Sequence, residues 1–179
     1  CMKKYIGLAI VSVMIGLVIW QFVSEQKPAK PEVQASQEEF EEEHRAILAT
    51  DFTLPMLSDE NFTLSETQGK ITIINFWASW CGPCKMEAPH LQEFYEEYSD
   101  RVEIVAVNIT SKDKREDVAA FVEQYGLTFP VLLDETGEIS TMYGAFAIPT
   151  TVFLNEKGEI IHEYAGPMEK QFMVNLLEL

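Results

Sequence analysis

The chain has 179 residues, with 13 Lys and Arg against 29 Asp and Glu, for a formal charge of −16. That balance excludes a nucleic-acid binder, which sets a basic face on phosphates, and a polybasic membrane-surface binder. A 47% hydrophobic share fits a folded domain, and three cysteines are too few for a disulfide scaffold, so burial of a core must supply stability.

Lys3 and Lys4 precede an apolar run from Tyr5 to Val23, in which only Ser12 and Gln21 are clearly polar. At ~1.5 Å per residue the run spans ~28 Å, close to the hydrocarbon thickness of a bilayer. Ser24, Glu25 and Gln26 follow it without the small-x-small pattern of a cleavage site, so the run reads as an uncleaved transmembrane anchor over residues 5–23. The two lysines keep residues 1–4 in the cytoplasm and put everything after Val23 outside it. Cys1 stands ahead of a Met-Lys-Lys segment and before the apolar run, whereas a lipid-modified cysteine would lie after that run, so it is not read as a lipid-modified residue.

Residues 24–47 form an acidic juxtamembrane linker, with Pro28 and Pro31 in its first part and Glu38, Glu39, Glu41, Glu42 and Glu43 in its second. From residue 48 the pattern is globular. Phe52, Leu54, Phe62 and Leu64 flank a Ser58–Asn61 turn and predict a β-hairpin. Ile71–Phe76 is a β-branched apolar run expected as a buried strand. A helix after the cysteine pair carries Leu91, Phe94, Tyr95 and Tyr98 on one face, Val102–Ile109 is a second buried strand, and Lys114–Tyr125 is a helix. Val131–Leu133 and Glu138–Tyr143 suit a short strand and a short helix. Thr150–Leu154 and Glu159–Tyr164 flank a turn ending in Gly158, a hairpin signal, and Met168–Leu179 closes the chain as an amphipathic helix. The sum is an α/β domain with a mixed central sheet flanked by helices.

Chemistry concentrates in Trp80-Cys81-Gly82-Pro83-Cys84-Lys85. Two cysteines at i and i+3 on a helix start can close a small disulfide ring and reopen it. Cys81 falls where orphan N–H groups and the helix dipole favour a negative charge, which lowers a thiol's pKa and raises its thiolate fraction. Pro83 fixes φ in the first turn without removing a needed donor. A zinc site would need a second Cys or His pair, which the domain lacks. Cu(I) suits a thiolate pair, and His162 is the candidate to complete such a site; the ordinary reading of His162 is a surface residue on an edge strand.

Asn75-Phe-Trp-Ala-Ser-Trp-Cys-Gly-Pro-Cys-Lys85 resembles the active-site segment of thioredoxins. Pro89 matches the proline that kinks their active-site helix, and Ile148-Pro149-Thr150 resembles their cis-proline loop, which lies against the disulfide and binds substrate backbone. Residues 48–179 are most similar to the membrane-anchored, extracytoplasmic TlpA/ResA/CcmG-like thiol-disulfide oxidoreductases. The Asp51–Lys70 segment resembles that branch's N-terminal hairpin, and Lys114–Leu133 its central αβ insertion. Asn75 replaces the buried Asp of cytoplasmic thioredoxins, and Glu87 occupies the place of a glutamate three residues past the second cysteine in ResA-like proteins. Gly82 departs from the acidic residue common there, which weakens the link to cytochrome maturation in particular.

The resemblance implies thiol–disulfide exchange with no cofactor and no metal. Cys81 is the attacking sulfur, Cys84 the resolving one, and Glu87 an acid/base candidate for Cys84. Trp77, Trp80, Gly82, Pro83, Ile148, Pro149 and Thr150 are expected to dock the substrate. That substrate would be a disulfide-bearing exported protein such as apocytochrome c, and a membrane-embedded thiol donor would re-reduce the pair. A disulfide-forming oxidase, a thiol peroxidase and a Cu(I) carrier are the competing readings.

Overall fold

The computed structural model describes Trp20 and residues 47–179; apart from Trp20 and Ile47, the expected anchor and linker lie outside the described residues. No helix among the described residues is long and apolar enough to cross a membrane.

Two short strands, β1 (Thr53–Pro55) and β2 (Asn61–Thr63), pair antiparallel as the expected hairpin. Five strands form the central sheet: β3 (Ile71–Trp77), β4 (Val102–Asn108), β5 (Val131–Leu133), β6 (Thr150–Leu154) and β7 (Ile160–Ala165). Their order is β5-β4-β3-β6-β7, with β3, β4 and β5 parallel and β6 and β7 antiparallel to their neighbours. The helices are α1 (Gly82–Tyr98), α2 (Arg115–Tyr125), α3 (Glu138–Met142) and α4 (Lys170–Leu176).

Strand alternation sorts the apolar residues into two layers. Ile73, Trp77, Ile104, Leu133 and Phe153 face α1, α2 and α4, where they meet Phe94, Phe121 and Met173. Ile74, Phe76, Val105, Val107 and Leu154 face the opposite way and are covered by Phe52, Leu54, Leu64 and Ala145. The hairpin therefore acts as a lid on the second layer, and its Met56 bridges to Leu132 on β5. Gly126 ends α2 with φ +62°, a left-handed cap that an L side chain would strain.

The terminal helix is shorter than its apolar pattern suggests. It spans Lys170–Leu176 rather than Met168–Leu179: Glu169 is its N-cap in an extended conformation, φ −91° and ψ 154°, and Met168 ahead of it is buried with its backbone N–H on Glu87.

Candidate exchange site

Strand β3 delivers the chain to the site. After Trp77, Ala78 turns it (Cys81 N donates to Ala78 O, 3.1 Å), and Cys81 becomes the N-cap of α1 in an extended conformation, φ −77° and ψ 115°. Cys81 Sγ accepts the backbone N–H of Cys84 at 3.2 Å, so the sulfur serves one of the helix's orphan donors. Cys81 and Cys84 form a disulfide with Cα atoms 5.3 Å apart. Both are almost wholly covered, at 4% and 3% exposure, so the first cysteine is no more open than the second in this oxidised state.

The rim is built from two segments. Trp80, Gly82 and Pro83 are exposed on the α1 side. On the other side the Ile148–Pro149 peptide bond is cis, and the Ile148 carbonyl oxygen stands 3.7 Å from Cys81 Sγ. Ile148 and Thr150 are partly exposed and Pro149 is buried. Phe146, just ahead of this loop, is 84% exposed, and Met86 on α1 is 61% exposed. Neither stands out in the sequence; large apolar side chains left in solvent beside a reactive pair are recognisable only once the fold is known.

Trp77 does not join this rim. It is 3% exposed and packs on Phe121 with ring centroids 4.4 Å apart. The reason is parity: Trp77 shares the strand face of Ile73 and Asn75, which is the face under the helices. Trp77 Nε1 is buried without a hydrogen-bond partner among the described residues. A narrow cavity of about 10 Å³ runs between Asn75, Trp77, Cys84, Leu91 and Phe121.

Beneath the disulfide lies a polar network. Glu87 follows Cys84 by three residues, so the two share one face of α1. That face looks inward, and Glu87 is 1% exposed. One carboxyl oxygen accepts from Asn75 Nδ2 at 3.0 Å and the other from the Met168 backbone N–H at 3.2 Å. Asn75 Nδ2 also donates to Thr151 Oγ1 at 3.0 Å, the register partner of Asn75 on β6. Burial pushes the Glu87 pKa up to about 7, against the smaller opposing effect of the Asn75 and Met168 hydrogen bonds. Three distant segments thus hold a carboxyl near neutral pKa one helical turn from Cys84. Thr151 and Met168 were absent from the expected site because nothing local marks them.

His162 is carried away from the sulfurs. It pairs with Phe153 on exposed β7, three residues before Ala165, whose partner is Thr150 beside the cis bond. At ~3.3 Å per strand residue this is ~10 Å along the sheet. No cluster of three or more His, Cys, Asp or Glu suited to a metal occurs among the described residues.

A redox-active cysteine pair at the head of a helix, in a five-stranded mixed sheet facing a cis-proline loop, defines a thioredoxin-like thiol-disulfide oxidoreductase. The chain belongs to the AhpC/TSA family, whose sequence profile matches residues 47–163. It is similar to the thioredoxin-like protein YneN of Bacillus subtilis (strain 168), 36% identical over 179 residues and 99% of each chain. Thiol-disulfide oxidoreductase ResA of Halalkalibacterium halodurans is 34% identical over 96% of this chain and 90% of its own. The crystal structure of StoA from Bacillus subtilis superposes with a TM-score of 0.64 at 37% identity, covering 74% of this chain and 98% of that one.

Proposed function

We propose that the chain works as a reductant of disulfides in exported proteins, held at the outer face of the cell membrane by residues 5–23. The observation that carries the exchange chemistry is the buried Glu87 carboxyl on the same helix face as Cys84, since resolution of a mixed disulfide needs a base beside the second thiol. Cys81 as thiolate attacks one sulfur of the substrate disulfide. The Cys81–substrate bond forms as the substrate S–S bond breaks, and the departing sulfur takes a proton from solvent. Glu87 then accepts the Cys84 proton, and Cys84 attacks Cys81 Sγ. The internal disulfide closes, the second substrate sulfur leaves Cys81 as a thiolate and takes up a proton from Glu87 or solvent, and the substrate departs with both thiols and two more electrons. Trp80, Gly82, Pro83, Ile148, Pro149 and Thr150 border the sulfurs as the surface on which the substrate lies.

The route needs no cofactor but requires a thiol donor in the membrane to reopen the pair. The apolar run after Lys3 and Lys4 supports the anchored, extracytoplasmic placement. Apocytochrome c is the substrate class to test first, alongside other exported disulfides.

The midpoint potential of the Cys81/Cys84 couple in the full chain, held in detergent and equilibrated with a defined thiol buffer, tests the direction. A value near or below ~−230 mV supports a reductant. A value near or above ~−180 mV belongs to oxidants and isomerases and would reverse the proposed electron flow.

A further inference from the structure

We propose that Asp113 is a positioning residue for the exchange reaction, clamping the Ala78–Ser79–Trp80 turn that presents Cys81. The turn has only three residues between β3 and the N-cap of α1, and it ends in a tryptophan that is 57% exposed. Ala78 is packed in the core at 0% exposure, but Ser79 and Trp80 lie at the surface, so the geometry of that part of the turn rests chiefly on hydrogen bonds.

Asp113 supplies them from across the sheet edge. The chain leaves β4 at Asn108, makes a single 3₁₀ turn over Thr110–Lys112, and sets Asp113 beside Ser79. Asp113 Oδ2 accepts from the Ser79 backbone N–H at 2.6 Å and from Asn108 Nδ2 at 2.9 Å. Asp113 Oδ1 accepts from Ser79 Oγ at 2.7 Å and from the Lys114 backbone N–H at 2.9 Å. Each carboxylate oxygen thus holds two donors, and no cation pairs with Asp113 among the described residues. Burial alone would raise the pKa of this group, but the hydrogen bonds from Ser79, Asn108 and Lys114 together outweigh it and keep the carboxyl below the ordinary aspartate value. The clamp therefore stays ionised through the neutral range.

The loop carrying Asp113 is itself fixed. Thr110 Oγ1 donates to Asn108 Oδ1 at 2.9 Å, and the Ile109 N–H donates to Trp77 O at 3.0 Å. Trp80 Nε1 donates to Lys112 O at 2.9 Å, so the same loop also fixes the indole at the rim. The consequence for chemistry is orientation. Cys81 Sγ meets the helix-end N–H of Cys84 only while the Cys81 backbone is held in its N-cap conformation, and that contact favours the thiolate.

The proposal rests on Cys81 being the attacking sulfur, and Cys81→Ala tests that separately. Asp113→Asn removes the negative charge and two of the four acceptor contacts while keeping the shape; Ser79→Ala removes the 2.7 Å bond alone. Two readouts are taken on the reduced full chain: the pH profile of Cys81 alkylation by iodoacetamide, and the rate of reducing a protein disulfide. Loss of a nearby anion would by itself move the alkylation curve to lower pH. Loss of positioning moves it to higher pH, with Glu87 and Lys85 unchanged in every variant.

The expected result for Asp113→Asn is a curve shifted to higher pH and about a tenfold slower protein reaction. Ser79→Ala should change both in the same direction by about threefold, and the double variant should lose less than the product of the two. A curve shifted to lower pH, or Ser79→Ala and Asp113→Asn curves and rates equal to wild type, would overturn the positioning role. If Asp113→Asn does not fold, the Ser79→Ala curve and rate decide. Full activity in Cys81→Ala would instead sink the exchange mechanism and leave the clamp a matter of loop structure.

Discussion

Replacing Glu87 by glutamine tests the buried carboxyl through stability rather than rate. In the folded oxidised chain this group titrates near about 7, against 4.5 for an unburied glutamate. Between those values the folded state keeps a proton that the unfolded chain has released, so stability falls as pH rises through the window. The gap is about 2.5 units, and at about 1.4 kcal/mol per unit it corresponds to about 3 kcal/mol lost from below pH 4.5 to above pH 7. Glutamine cannot ionise and has no such loss. Urea unfolding of the oxidised wild type and of Glu87→Gln at pH 5, 6, 7 and 8 would show it. At pH 5 the variant should be the less stable, having put an amide where a carboxyl accepted from Asn75 or Met168. By pH 8 it should have gained most of those ~3 kcal/mol on the wild type. Stability curves that stay parallel over the whole range would refute the shifted titration, and with it the case for Glu87 as the base that serves Cys84.

The cysteines, the tryptophans and the core give sharper contrasts. Cys81→Ala should abolish insulin-disulfide reduction, and Cys84→Ser should accumulate a mixed disulfide with substrate, visible as a mass increase that a reductant removes. Peroxide consumption surviving in Cys84→Ser would instead favour a thiol peroxidase. Trp77→Ala should cost about 3–5 kcal/mol in urea unfolding, because the ring is buried on Phe121. Trp80→Ala should leave stability within about 1 kcal/mol, as expected at an exposed site, yet slow reaction with a protein disulfide more than with a small one. Phe153→Ala, at a wholly buried position of β6, should cost about 3–5 kcal/mol by the same measurement.

The elements of the domain were legible because their signals are local. Ile71–Phe76, the two polar-turn hairpins and the helical stripe from Val118 to Tyr125 each state their period within a dozen residues. The Cys81-Gly82-Pro83-Cys84 spacing likewise identified the redox pair before any coordinates. Trp77, expected at the docking surface from the family resemblance, is buried instead: its parity with Ile73 and Asn75 turns it under the helices. Glu87 could be marked as a candidate, whereas its burial required Asn75 from β3 and Met168 from the far end of the chain. Asp113 gave no signal at all. It sits in Lys112-Asp-Lys-Arg115, a stretch that reads as a solvated charged loop, and only the return of the chain from β4 to the β3 exit brings it to Ser79. What escaped the sequence was the convergence of residues far apart in the chain, each unexceptional where it stands.

The bridge between Leu48 and Glu159 gives the domain a polarity. The backbone bonds Ala49 N to Gly158 O and Ile160 N to Ile47 O fasten residues 47–49 to the turn joining β6 and β7. That turn follows Leu154, whereas the sulfurs lie toward Thr150 at the other end of β6, ~13 Å away along the strand. Force applied through the chain at residue 47 is therefore received at the pole remote from the disulfide. Within the domain, residues 47–49 are thus fastened at one end of β6 and the disulfide sits at the other, so a pull entering at residue 47 loads the β6–β7 turn before it reaches the cysteines.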